Sequence, residues 1–215
     1  LYIFVFMGNI ATTIQEQIAI LSKRGLNIGD NEKAKEILLD IGYYRLGFYW
    51  HYFQNPAQDH NFTYNVSLDD IVRLYYLDFD IKHLLSKYIY RIEVHFRTQV
   101  LYIVSNNYPK NNIWYVDSTI VNGHILKEFN NIYFNLKKNK TLAKHHCKYK
   151  NDTFAPAWKT FEFLTFGQIF KFYANLKNED LKNKIANNYG LEDYTVLENF
   201  FTATIRIRNI CSHLF

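Results

Sequence analysis

Between Ser67 and about Asn106 the chain runs without a glycine or a proline, and no other feature constrains its fold as strongly. Ile71, Leu74, Phe79, Leu85, Tyr88, Ile92, Phe96, Val100 and Ile103 recur across the stretch mostly three or four residues apart. That period keeps apolar side chains on one side of a helix, so the spacing predicts a single long helix or two nearly collinear ones. The rhythm slips at Asp78–Asp80, where a break is expected. Ser67 is placed to cap the start. Asp69 and Asp70, which could be imagined as part of a magnesium site with Asp78 and Asp80, are better explained as first-turn acids facing the positive end of the helix dipole.

The remainder carries the same kind of signal in shorter pieces. Thr13-Ile14-Gln15-Glu16 has the form of a capping box, with Ile14, Ile18 and Leu21 on one face and Gly25 where a C-terminal cap belongs. Asp30 opens a second short helix through Ile37 and Leu38, ending near Gly42. An aromatic block follows from Tyr43 to Phe53, then a polar loop from Asn55 to Tyr64 that contains Pro56. Asn122 to Lys138 reads as an amphipathic helix and Lys137–Lys150 as a basic, polar connector. Pro156 to Leu176 is aromatic and helical in pattern, with Gly167 marking a kink or boundary. Asn178 to Asn188 is a short polar helix closed by Gly190. Asp193 opens the last helix, apolar along Val196, Leu197, Phe200, Phe201 and Ile205. Alternation by two never persists between turn signals, so the fold class is all-α, a bundle built on long helices.

With 215 residues the chain reads as one all-helical domain over 1–215, in which 12–55 can be set apart as an N-terminal helical elaboration. At 48% hydrophobic and 21% charged residues it is globular, not disordered. Cys147 and Cys211 stand far apart in unlike contexts, which argues against a disulfide framework and for a reducing cytoplasm. No apolar run reaches membrane-spanning length. The opening Leu1–Phe6 is too short for a signal-peptide core, and it precedes the chain's one methionine, Met7. A net charge of +5 suits a polyanionic partner only if it is concentrated on one face.

The strongest chemical constellation is Arg208-Asn209-Ile210-Cys211-Ser212-His213. Four residues apart on a helix, Asn209 and His213 share a face, whereas Arg208 lies about 140° round from His213. A bent arginine side chain, or a second copy of the helix crossing nearby, would gather the three. Such a group suits RNA cleavage without a metal. An imidazole titrating near neutrality can move a proton at a 2′-hydroxyl or a leaving oxygen. A guanidinium can hold the scissile phosphate, and an amide can orient either group. By spacing alone the residues also suit an ordinary solvated helix end.

Arg-Asn-x-x-x-His on a terminal helix resembles the R-x(4–6)-H signature of HEPN ribonucleases. More of the chain is similar to the abortive-infection Abi family of the AbiD/AbiF type. The matching pieces are Thr13–Ile18 with Arg24-Gly25-Leu26, Gly42-Tyr43-Tyr44-Arg45-Leu46 ahead of Tyr49-Trp50, and Ile92-Glu93-Val94 with Arg97-Thr98. Trp158 with Glu162, Phe166-Gly167 and Ile207–His213 follow in the family's order. The resemblance implies a HEPN-like helical bundle with Arg208, Asn209 and His213 as catalytic residues. It further implies that Glu93 and Arg97, an ordinary i,i+4 ion pair by spacing, support the catalytic helix. Phage defence or a toxin role restrained by a cognate small RNA belongs to the same implication. Family members continue past the motif histidine, so a C-terminal portion beyond Leu214-Phe215 is expected.

One motif per chain makes half a site, which leads to the expectation of a homodimer. Contacts to RNA are expected from Lys144, Lys148 and Lys150, with Arg206 and Arg45. His145-His146-Cys147 lacks the partner pair that a closed metal site needs, so neither metal nor cofactor is expected. The Tyr43–Phe53 block could stack bases, although aromatics at helical spacing usually belong to a core. The rival to an enzyme is a non-catalytic RNA-binding module that docks a small non-coding RNA in the same cleft.

Overall fold

The hydroxyl of Ser67 accepts the N–H of Asp70, and the Asp70 carboxylate takes the Ser67 N–H and hydroxyl in return. This reciprocal cap starts the helix that organises the chain. In the computed structural model, which describes residues 11–55, 60–63 and 65–212, that helix (α4) runs over Leu68–Asn107, 40 residues in all. It passes Asp78–Asp80 without interruption. The expected break is absent because Asp78 is engaged along the helix, pairing with Lys82 at 2.8 Å and accepting the Tyr49 hydroxyl at 2.7 Å. Helix accounts for 72% of the described residues, and no strand forms among them beyond three isolated bridges. No helix among them is long and apolar enough to cross a membrane.

The chain divides into two compact units, Leu1–His83 and Leu84–Phe215, with the boundary inside α4. In the first, α1 (Ile14–Lys23) begins with the Thr13/Glu16 capping box and ends on Gly25 at φ +89°. There the Gly25 and Leu26 N–H groups return to the Ser22 and Leu21 carbonyls, a Schellman closure that a side-chain-bearing residue at Gly25 would strain. Asp30 caps α2 (Asn31–Asp40), and α3 (Tyr43–Trp50) runs into a 3₁₀ turn, His51–Phe53. Leu21, Leu26, Leu38, Leu46, Trp50 and Ile71 form the core of this unit.

The second unit takes the rest of α4 together with α5 (Gly123–Leu136), α6 (Lys140–Lys148), α7 (Ala157–Thr160), α8 (Phe166–Ala174), α9 (Glu179–Asn187) and α10 (Tyr194–Ser212). Its core is built of rings, which is where the chain's 18% of aromatic residues finds its structural use. Tyr115 packs edge-to-face on Phe129, Phe161 and Phe172, with centroids 5.4, 5.7 and 6.1 Å apart. Its buried hydroxyl donates to the Ala155 carbonyl at 2.6 Å. Phe96 of α4 meets Phe201 of α10 at 4.5 Å and Phe166 of α8 at 5.9 Å, so α4, α8 and α10 share one aromatic contact.

Two expectations are corrected here. Lys137–Lys150 is not a connector, because Asn139 accepts the Thr141 N–H to cap α6 and Leu142 and His145 are buried beneath it. Its lysines outnumber its apolar residues, which hides the one buried face. The boundary placed at Gly167 falls at Leu164–Thr165, where Thr165 and Gln168 form a second capping box that starts α8.

Candidate active site

Asp193 opens α10 by accepting the N–H of Thr195, and Leu197 and Phe201 then fix which face points into the core. With that face set, helical geometry determines where the motif lies. Arg208 follows Leu197 and Phe201 round the helix and is half-buried, while Arg206 and Asn209 are exposed. The Arg208 guanidinium reaches the side-chain oxygen of Asn209 at 3.5 Å, its one hydrogen bond among the described residues. The Ser212 hydroxyl donates to the Arg208 carbonyl at 2.9 Å. His213 lies outside the described residues, as do Leu214, Phe215, Pro56 and Leu1–Met7. Among the described residues the Arg208 guanidinium is thus engaged by one long hydrogen bond at the end of a helix. A guanidinium in that state can take a phosphate bidentately.

Glu93 and Arg97 meet at 3.1 Å with side chains only 13% and 15% exposed. Arg97 also donates to the Leu164 carbonyl at 3.1 Å, joining α4 to the turn that begins α8. From there the path to α10 is short. Phe166 packs on Phe201 at 5.5 Å, and a Cβ at Gly167 would lie 3.8 Å from the Ile205 methyl. The pair therefore touches the structure that supports α10. No hydrogen bond or ion pair among the described residues joins it to Arg208 or Asn209 directly.

Of the expected RNA contacts, Lys144, Lys148 and Lys150 are all exposed on or just after α6. Arg45 belongs to α3 in the first unit, half-buried near the Tyr49 phenol. The stacking role considered for Tyr43–Phe53 is corrected at Tyr49 and Trp50, which are buried with Leu46 in the core of the unit. Tyr44 and Tyr52 stay exposed. A groove of about 410 Å³ between α2 and α4, lined by Lys33, Ile37, Asp69 and Arg73 among others, carries none of the residues expected to cut or contact RNA.

The histidines of α6 are held in a polar network. His145, buried, lies with Nδ1 at 3.2 Å from the Lys159 ammonium and Nε2 at 3.1 Å from the Asp152 carboxylate. Since the ammonium can only donate, these partners assign the Nε2–H tautomer. His146 contacts the Tyr133 hydroxyl through Nε2 at 2.9 Å and the Asp152 carbonyl through Nδ1 at 3.1 Å. Burial pushes its pKa below the ordinary 6.5, with the charge of Lys137 acting in the same direction. Among the described residues no three His, Cys, Asp or Glu side chains gather so as to hold a metal ion. Sequence reasoning missed this network, because nothing in the spacing pairs His145 with Asp152 and Lys159.

Among families of known proteins, the one described as Abi-like protein matches residues 36–214, a span that takes in α3 through α10 and the motif at the chain's end. Neither the curated proteins nor the solved structures gave a match.

Proposed function

The chain belongs to the Abi-like protein family, whose name points to abortive infection and phage defence, and from that membership we propose that it is a metal-independent endoribonuclease of the HEPN type. Its substrate is single-stranded or loop RNA. The observation that carries the reading is the end of α10, where Arg208 and Asn209 sit side by side, half-buried and exposed, inside the span matched by the family.

In the proposed reaction the 2′-oxygen attacks the adjacent phosphorus and the bond to the 5′-oxygen breaks, leaving a 2′,3′-cyclic phosphate and a 5′-hydroxyl. His213 acts as general acid/base, carrying the proton lost from the 2′-hydroxyl to the departing 5′-oxygen. Arg208 clamps the phosphate and offsets the charge that builds on it, and Asn209 orients the guanidinium. Glu93 and Arg97 are positioning residues that act through α8. A homodimer brings two motifs to one cleft. Supporting this, α10 leaves an apolar stripe uncovered on the side away from the core, with Phe200 66% and Ile210 63% exposed beside Val196 and Ile207. A small structured RNA made with the protein is the proposed restraint in the resting cell.

Cleavage of a labelled RNA tests the assignment. Arg208→Ala and His213→Ala should each abolish cutting, and His213→Ala should leave affinity within a few-fold of the parent. Full cutting by either variant would remove the motif from the chemistry. Tight binding of the RNA by the parent without any cutting would favour the non-catalytic binding module.

A further inference from the structure

Lys137–Lys150 holds six lysines and no acid, more positive charge than the +5 of the whole chain, so the protein's basic excess is concentrated here. Asp152, two residues past this segment, is engaged by His145, and Glu162 is the exposed acid one turn beyond Trp158. Exposed aromatic rings stand beside lysines on α5, α6 and α7. Tyr149, at the end of α6, is 44% exposed, with the ammonium groups of Lys148 and Lys159 at 5.3 and 5.8 Å from its ring centroid. Trp158, beside Lys159 on α7, is 52% exposed and has no hydrogen bond or ring contact among the described residues. Phe134 is also exposed, with Lys138 at 5.4 Å. The Lys159–His145–Asp152 chain ties α7 to α6 and to the turn after it, so the rings are carried on fixed backbone.

With no hydrogen bond or ring contact among the described residues, Trp158 leaves about half of its surface to a partner. Its neighbours indicate what it serves. Protein-binding surfaces are depleted in lysine, whereas single-stranded nucleic acid is held by rings that stack on bases and cations that meet phosphates. Duplex RNA would present few free base faces. We propose that Trp158 and Tyr149, flanked by Lys144, Lys148, Lys150 and Lys159, form a stacking platform for single-stranded RNA. The proposal rests on the reading of the chain as an RNA-acting protein and names the surface that feeds its site.

The chain's three tryptophans make the test direct. Trp50 and Trp114 are buried at 1% and 0% exposure, so red-edge emission reports Trp158. Titration with a 2′-O-methyl oligouridylate, which offers no free 2′-hydroxyl for cutting, should quench that emission. A paired RNA of equal length should quench it far less. Trp158→Ala should lose the quench and weaken binding about tenfold, while Trp158→Phe should keep most of the affinity. Replacing Lys148 and Lys150 by Gln should shallow the salt dependence by roughly the two phosphate contacts removed. A melting curve like the parent's confirms that the variants fold. Binding without a change in Trp158 emission, or parental affinity in Trp158→Ala, overturns the platform. If Arg208→Ala still abolishes cleavage in that case, the ribonuclease reading stands without it. Absence of both binding and cleavage overturns both.

Discussion

Arg97 serves two acceptors from one guanidinium, the Glu93 carboxylate and the Leu164 carbonyl, in a setting that is mostly buried. Truncating it would leave a carboxylate with little solvent and no cation, and would release the turn that begins α8. We expect Arg97→Ala to cost about 2–3 kcal/mol in a denaturant titration. Lysine, which lacks the planar fork, should restore only part of it. Replacing Glu93 and Arg97 together by leucine should cost less than the arginine truncation alone, because no buried charge is then orphaned. A loss in the double variant equal to the sum of the two single losses would mean that the pair is not coupled. This residue differs in kind from Arg208. Arg97 is spent on the fold, whereas Arg208 makes, among the described residues, one long hydrogen bond to its chain neighbour.

At the scale of elements, α10 lies close against α8 at residue 167, where there is room for a small side chain but not a large one. The contact a Cβ would make there, 3.8 Å to the Ile205 methyl, is ordinary packing. Gly167→Ala should therefore be neutral or raise stability by up to about 1 kcal/mol, while Gly167→Leu should lower it by ~1–3 kcal/mol. Chemical denaturation of the two variants checks this, and an alanine as damaging as the leucine would refute it. Caps made most elements legible. Thr13/Glu16, Asp30, Ser67, Asn178 and Asp193 all start helices where their side chains announce them. What escaped was burial decided at a distance. Six lysines concealed the buried edge of α6, and an apparent break in apolar rhythm at Asp78 concealed a helix held there by Tyr49 and Lys82. The anchoring of α6 also predicts a pH effect. His146 has a folded pKa below its ordinary 6.5 because burial disfavours its charged form. Its contribution is complete above 6.5 and declines as pH falls from there toward the folded value, since the unfolded chain then binds more protons. The melting temperature should drop between pH 7 and pH 5, and His146→Gln should shrink that drop. The capping carboxylates Glu16 and Asp70, held below their ordinary 4.5 and 3.8, act only in a more acidic window. An unchanged drop in His146→Gln would assign it to other groups.

The second unit sets an aromatic interior beneath a helix end bearing Arg208 and Asn209, and the six lysines of Lys137–Lys150 belong to the same unit. The candidate site was legible in sequence only as a motif. Its setting was not, because the approach of α4, α8 and α10 depends on contacts such as Phe96–Phe201 and Arg97–Leu164 that join residues far apart in the chain. The proposed chemistry uses the substrate's own 2′-hydroxyl as nucleophile, with proton transfer and phosphate clamping supplied by side chains, so its requirements can be separated from those of binding. The most direct measurement compares an RNA with the same strand carrying one 2′-deoxyribose at the scissile position, both incubated with the parent protein in excess EDTA. The account predicts that the all-ribose strand is cut to a 2′,3′-cyclic phosphate and a 5′-hydroxyl. It predicts that the substituted strand binds with similar affinity and stays intact at that position. Efficient cutting at the deoxyribose, or cutting of the all-ribose strand only once magnesium is restored, would contradict it.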